Sequence, residues 1–168
     1  MGTSTLMTGK ELAEQLRRGE LFTDIAAKLT GEEITAEVWQ RSGPEPMSGE
    51  ERRLLESWRD QVVICRRRTG LLRAAGGQIV AYVSSAWIPC RLPPGVQPAL
   101  MTTDIPLGRS LADAGVAREC LSAREVSDRG IAVRSYGRLL LPDGDDMVPV
   151  ALAWEEIPDG LLAGVSWG

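Results

Sequence analysis

The chain has 168 residues, a formal net charge of −4, ordinary apolar content and no histidine. That length suits one domain, residues 1–168, able to bury its own core without staples. The missing imidazole excludes Ser-His-Asp catalysis, histidine metal sites and any histidine general base, and the negative charge argues against a general nucleic-acid binder, whose affinity rests on phosphate neutralisation.

No window approaches the roughly 18 apolar residues that span a bilayer, and no signal-peptide core is present, so the expectation is a cytoplasmic protein without a membrane partner. Cys65, Cys90 and Cys120 are odd in number and far apart. They read as buried free thiols, not as a disulfide framework or a metal site. All but Lys10 and Lys28 of the 19 basic residues are arginine, the better bidentate binder of carboxylates. GxxxxGK[ST], GxGxxG and GxSxG are absent. Any chemistry therefore rests on arginine, carboxylates, hydroxyls and backbone.

In chain order, Thr8-Gly9-Lys10-Glu11 forms a capping box that opens a helix with Leu12, Ala13 and Leu16 inward and Gly19 at its end. A second short helix is expected from about Thr23, closed by Gly31. Ile34, Ala36 and Val38 alternate with polar neighbours as a half-buried strand, and Gly43-Pro44-Glu45-Pro46 reads as a loop. Ser48-Gly49-Glu50-Glu51 is a further capping box, predicting a helix with Leu54, Leu55 and Trp58 inward.

From Gln61 the period becomes two, and Ala74-Ala75-Gly76-Gly77 turns that strand into a partner running from about Gln78 to Ile88. Pro93, Pro94 and Pro98 punctuate a connection that leads to a corner at Pro106-Leu107-Gly108. The expectation there is an extended entry, a glycine turn and a short helix stopped by Gly115. Strands follow over about 118–126 and 131–141, and Pro142-Asp143-Gly144 turns the chain into a last strand, about 147–157. Hairpins with helices clustered near the start predict an α+β fold, an antiparallel sheet of about six strands with helices packed on it.

Two patterns single out charged residues. Within Arg66-Arg67-Arg68, Arg66 and Arg68 continue the face that Val62 and Ile64 make apolar, while Arg67 points the other way. Such a run is most often a solvated strand face, but an arginine on an apolar face must snorkel out or find an anion. In the last strand, Ala151, Ala153 and Glu155 share one face and Val150, Leu152 and Trp154 the other. Alanines beside a carboxylate leave room for a small ligand, or fit beneath a packed helix.

A strand ending Trp87-Ile88-Pro89, then Arg91-Leu92-Pro93, Pro106-Leu107-Gly108, Arg118, Arg134-Ser135-Tyr136 and Pro149 leading to Glu155 together resemble the chorismate pyruvate-lyase family. The resemblance spans nearly the whole chain. It implies a chorismate lyase-like fold and a cofactor-independent carbon–oxygen lyase that eliminates pyruvate from chorismate to leave 4-hydroxybenzoate, with no metal. It assigns Arg68 and Arg118 to carboxylates of an anionic or aromatic ligand, Leu107 and Gly108 to its binding, and Glu155 with Arg68 to the chemistry. The longer last hairpin leaves Glu155, Glu156 and Trp154 all open for the acid position.

The same fold serves as the effector-binding half of certain transcription regulators. The first 60 residues here lack the room and basic charge of their winged helix, so no nucleic-acid partner is expected. Two other readings stand beside the lyase: a diverged natural-product cyclase or lyase using the same cavity, and a sensor domain without chemistry. A monomer and a homodimer both remain open.

Overall fold

A computed structural model describes residues 7–162. The capping box of Thr8 and Glu11 forms as read and opens α1 (Gly9–Arg17). It is followed by α2 (Phe22–Thr30), which ends on the left-handed Gly31. Then come β1 (Ile34–Pro46), α3 (Gly49–Leu54), β2 (Ile64–Ala74) and β3 (Ile79–Trp87). A crossover carrying α4 (Val96–Thr102) and α5 (Leu107–Ser110) leads to β4 (Ala117–Asp128), β5 (Ile131–Asp143), β6 (Asp146–Pro158) and α6 (Asp159–Leu162).

The strands make one six-stranded sheet in the order β1-β2-β3-β6-β5-β4, every neighbouring pair antiparallel. Two three-stranded meanders therefore meet where β3 lies beside β6. The α+β class and the number of strands agree with the sequence reading.

One face of the sheet carries two apolar clusters. Leu12, Leu16, Phe22 and Ile25 of the first two helices cover Leu72, Val133 and Ile157. Leu100, Leu107 and Leu111 of the crossover cover Trp87, Leu139 and Ala151. Trp87 Nε1 donates to Gln97 Oε1 at 2.7 Å, fixing the crossover to the end of β3. On the opposite face, Leu54 and Leu55 pack on Cys65, Ala86 and Leu152.

Four details differ from the sequence reading. The Gly43–Pro46 stretch is not a loop: β1 runs through it with a register shift between Ser42 and Glu45. An edge strand tolerates proline because one side of its backbone needs no ladder partner. Trp58 is 69% exposed instead of inward, because α3 ends at Leu54 and Glu56 takes a left-handed backbone that rotates the following residues out of the helical stripe. Only Cys65 of the three free thiols is buried, and Cys90 is exposed. At the corner, α5 begins at Leu107 itself, so the turn is made at Pro106. A Cβ on Gly108 would rest 3.5 Å from Leu21, an ordinary contact, and nothing in the packing demands glycine there.

Gly70 is the glycine the sheet does require. It pairs with Val38 beside the bulge in β1, and a Cβ there would collide with the Glu37 carbonyl oxygen.

Candidate functional site

Between the two clusters on the helix-covered face lies a cavity of about 80 Å³. A single water needs about 10–15 Å³ measured this way, so the space takes a small molecule. Its floor is written in the register of the sheet. Arg68 of β2 pairs with Ser85 of β3, Ser85 with Ala153 of β6, and Ala153 with Gly137 of β5. Paired residues share a face, so three small residues run across the sheet from Arg68: Ser85 and Ala153 form the cavity floor, and Gly137 lies beyond them under the Arg118 guanidinium. The row spans three strand spacings, about 14 Å at the backbone. Leu21, Phe22 and Thr23 border the cavity from the start of α2, and Pro106, Leu107 and Gly108 from the crossover.

Arg68 stands at one end and is 7% exposed. Its Nη2 donates to the Ile105 carbonyl, while Nη1 is buried without a hydrogen-bond partner. Burial, and then the charge of Arg41, pulls the guanidinium down to about 10, which leaves it protonated at neutral pH. The chain above it is held by Arg41, whose Nε donates to the Leu100 carbonyl at 3.2 Å and whose Nη2 donates to Asp104 Oδ1 at 2.8 Å. Asp104 Oδ2 also accepts from the Val38 amide at 3.4 Å. The ion pair that fixes this strap is Arg41–Asp104, and among the described residues no carboxylate lies within ion-pair distance of Arg68.

At the other end, Arg118 of β4 is 6% exposed and Glu155 of β6 is 7% exposed. Arg118 Nη2 donates to Glu155 Oε2 at 3.1 Å and to Ser135 Oγ at 3.3 Å, and Nη1 reaches the Leu16 carbonyl at 3.4 Å. The Ser135 hydroxyl donates to the same Glu155 oxygen. Arg118 Nε is buried without a partner. The guanidinium fits because residue 137 is glycine: a Cβ there would lie 2.9 Å from Arg118 Cζ and 3.0 Å from Nε.

Arg68, Arg118, Glu155, Leu107 and Gly108 thus all border one cavity. Arg118 and Glu155 face each other, however, and the second arginine is not a free clamp. Of the three residues open for the acid position, Glu155 alone presents its carboxylate on this face. Glu156 is on the other, bonded to Arg134 at 3.0 Å. Trp154 borders the cavity from its place in β6, but its ring stacks on Tyr136 at 4.7 Å in the cluster beneath α3.

Arg67 and Arg66 turn elsewhere. Arg67 bonds Glu51 and lies 2.6 Å from Glu45, and Arg66 Nη1 donates to the Gly43 carbonyl at 3.0 Å. Ser135 enters the sequence reading only within the Arg134-Ser135-Tyr136 stretch, with no role of its own, and Gly137 does not enter it. Their signal was their alternation with Val133 and Leu139 on one side of β5.

No protein-family model matches the chain, and no curated protein matches it by sequence. Among solved structures, the crystal structure of PhnF from Mycobacterium smegmatis superimposes with a TM-score of 0.55 at 13% identity, covering 85% of this chain. The chain spans 65% of the length of PhnF. The fold is chorismate lyase-like. Among the described residues, no helix is long and apolar enough to cross a membrane, and no cluster of His, Cys, Asp or Glu is arranged to hold a metal ion.

Proposed function

We propose that this chain binds a small organic acid, its carboxylate at Arg68 and its hydrocarbon part over the Ser85–Ala153 floor. The observation that carries this reading is the Arg68 guanidinium, buried at the cavity wall with Nη1 unmatched. A buried charge without a counter-ion is costly, and a carboxylate there supplies both the missing charge and the missing acceptor. Apolar walls with a few convergent polar groups are the usual make-up of such a site. The fold agrees with an effector-binding use of the cavity.

Isothermal titration and thermal shift with a panel of small aliphatic and aromatic acids test the reading, since a ligand of the native state raises stability as its concentration exceeds Kd. Saturable binding by at least one acid supports it. Full-length folded protein that takes none contradicts it.

The lyase reading has one observation in its favour: a buried carboxylate, Glu155, shares the cavity with Arg68. Glu155 would move a proton, or engage the ring hydroxyl, while Arg68 held one carboxylate of chorismate. The second carboxylate would require Arg118 to part from Glu155. Pyruvate release from chorismate tests this version, and chorismate that binds without releasing pyruvate leaves the sensor reading in place.

A further inference from the structure

The charges that face the cavity can be counted. Its bordering residues include Arg68, Arg118, Glu155 and Glu37. The Glu37 carboxylate is turned out to Arg73 Nε at 3.1 Å and Trp39 Nε1 at 3.1 Å, so it does not act inside. Arg118 and Glu155 cancel across 3.1 Å, with the Arg118 side chain 1% exposed. Among the described residues that border the cavity, one positive charge remains, on Arg68. At the Arg118 end the unmet group is Nε, a donor whose charge is already balanced.

We infer that Glu155 is a charge selector: by neutralising Arg118 it restricts the cavity to ligands with one negative charge and a neutral hydrogen-bond acceptor at the far end. This rests on the acid-binding reading above and narrows its ligand class to monoanions. A second carboxylate placed near Arg118 would meet Glu155 in a low-dielectric space, where two like charges repel strongly and neither is solvated. An amide, carbonyl or hydroxyl oxygen meets Nε with no such conflict. Glu155 is a specificity determinant that acts through Arg118, so its replacement changes which ligands bind.

The test uses matched pairs that differ by one charge and hardly in shape, with carboxyl groups far enough apart to reach towards both ends: glutarate, adipate and benzene-1,4-dicarboxylate, each beside its monoamide. Binding is measured by titration calorimetry on the full chain at pH 7.5. The expected result is at least a tenfold preference for the monoamide in every pair that binds. Glu155→Gln, which frees the Arg118 charge, should erase or reverse that preference, and Glu155→Asp should keep its direction. If Glu155→Gln does not fold, the wild-type protein still decides: diacid affinity should rise as pH falls through the diacid's second ionisation, while monoamide affinity stays level. Equal affinity for both members of a pair, or preference for the diacid, overturns the selector while leaving acid binding standing. Failure of every member to bind removes the acid-binding reading itself, and the selector with it.

Discussion

Gly137 is the seat of Arg118: the guanidinium carbon lies 2.9 Å from where a Cβ on residue 137 would be. The arrangement links β5 to the polar end of the cavity, because the guanidinium can reach Glu155 only by crossing the bare backbone of its neighbour strand. In an ordinary strand interior, glycine to alanine stabilises by about 0.5–1 kcal/mol. Gly137→Ala should instead destabilise, by about 1–3 kcal/mol, the usual cost of overpacking. Urea denaturation measures it, and a gain in stability would mean that Arg118 has another place to go.

Ser135 and Arg118 converge on one oxygen of Glu155. Ser135→Ala removes the hydroxyl and leaves the buried carboxylate with a single side-chain donor. A hydrogen bond to a charged group contributes about 1.5–3 kcal/mol, and the variant should lose that much. A variant as stable as wild type would show that the serine is incidental to the pair.

Away from the cavity, Glu51 caps α3 at Ser48 and bonds Arg67, which ties that helix to β2. The Arg67 guanidinium holds the carboxyl at about 2, below its ordinary 4.5. A carboxylate depressed in the folded state stabilises above its unfolded pKa, and that contribution is lost as pH falls through the folded one. Wild type should therefore lose stability between about pH 4.5 and pH 2 more steeply than Glu51→Gln. Parallel stability curves over that window would contradict the role given to this pair.

Local chemistry made the hairpins legible. The glycines of Ala74–Gly77 and the Pro142–Gly144 turn each mark where a strand reverses, and the alternation of Ala151, Ala153 and Glu155 fixed the cavity face of β6. What could not be read was non-local. Nothing in either meander says that β3 lies beside β6, yet that pairing brings Ser85 next to Ala153 and completes the floor. The same holds for Arg118 and Glu155, 37 residues apart. Each looked like an independent ligand for substrate until the strand order placed them together. Trp58 leaves the helical stripe for a different, local reason: one left-handed residue at Glu56 breaks a spacing that the sequence itself continues.

Acid binding should depend on pH in two places. The ligand must be ionised, which for a carboxylic acid means above about pH 4–5. Arg68 must be protonated, and burial has brought it down to about 10. Affinity should be level from about pH 6 to pH 9 and fall as pH rises through 10. A fall centred near pH 7 would point to a group other than Arg68, because the Arg68 guanidinium stays protonated until about pH 10.

The direct test of acid binding at Arg68 compares two neighbouring arginines on opposite faces of β2. Arg67→Ala deprives Glu51 and Glu45 of their partner and should cost stability while changing acid affinity less than about twofold. Arg68→Ala removes the unmatched guanidinium and should weaken binding of a monocarboxylate at least tenfold, as expected for a charge-assisted bond of about 1.5–3 kcal/mol. Titration calorimetry on both folded variants gives the answer. Loss confined to Arg68→Ala is the predicted result. Undiminished binding by Arg68→Ala would contradict the account, because the unpaired Arg68 charge would then have no part in holding the ligand.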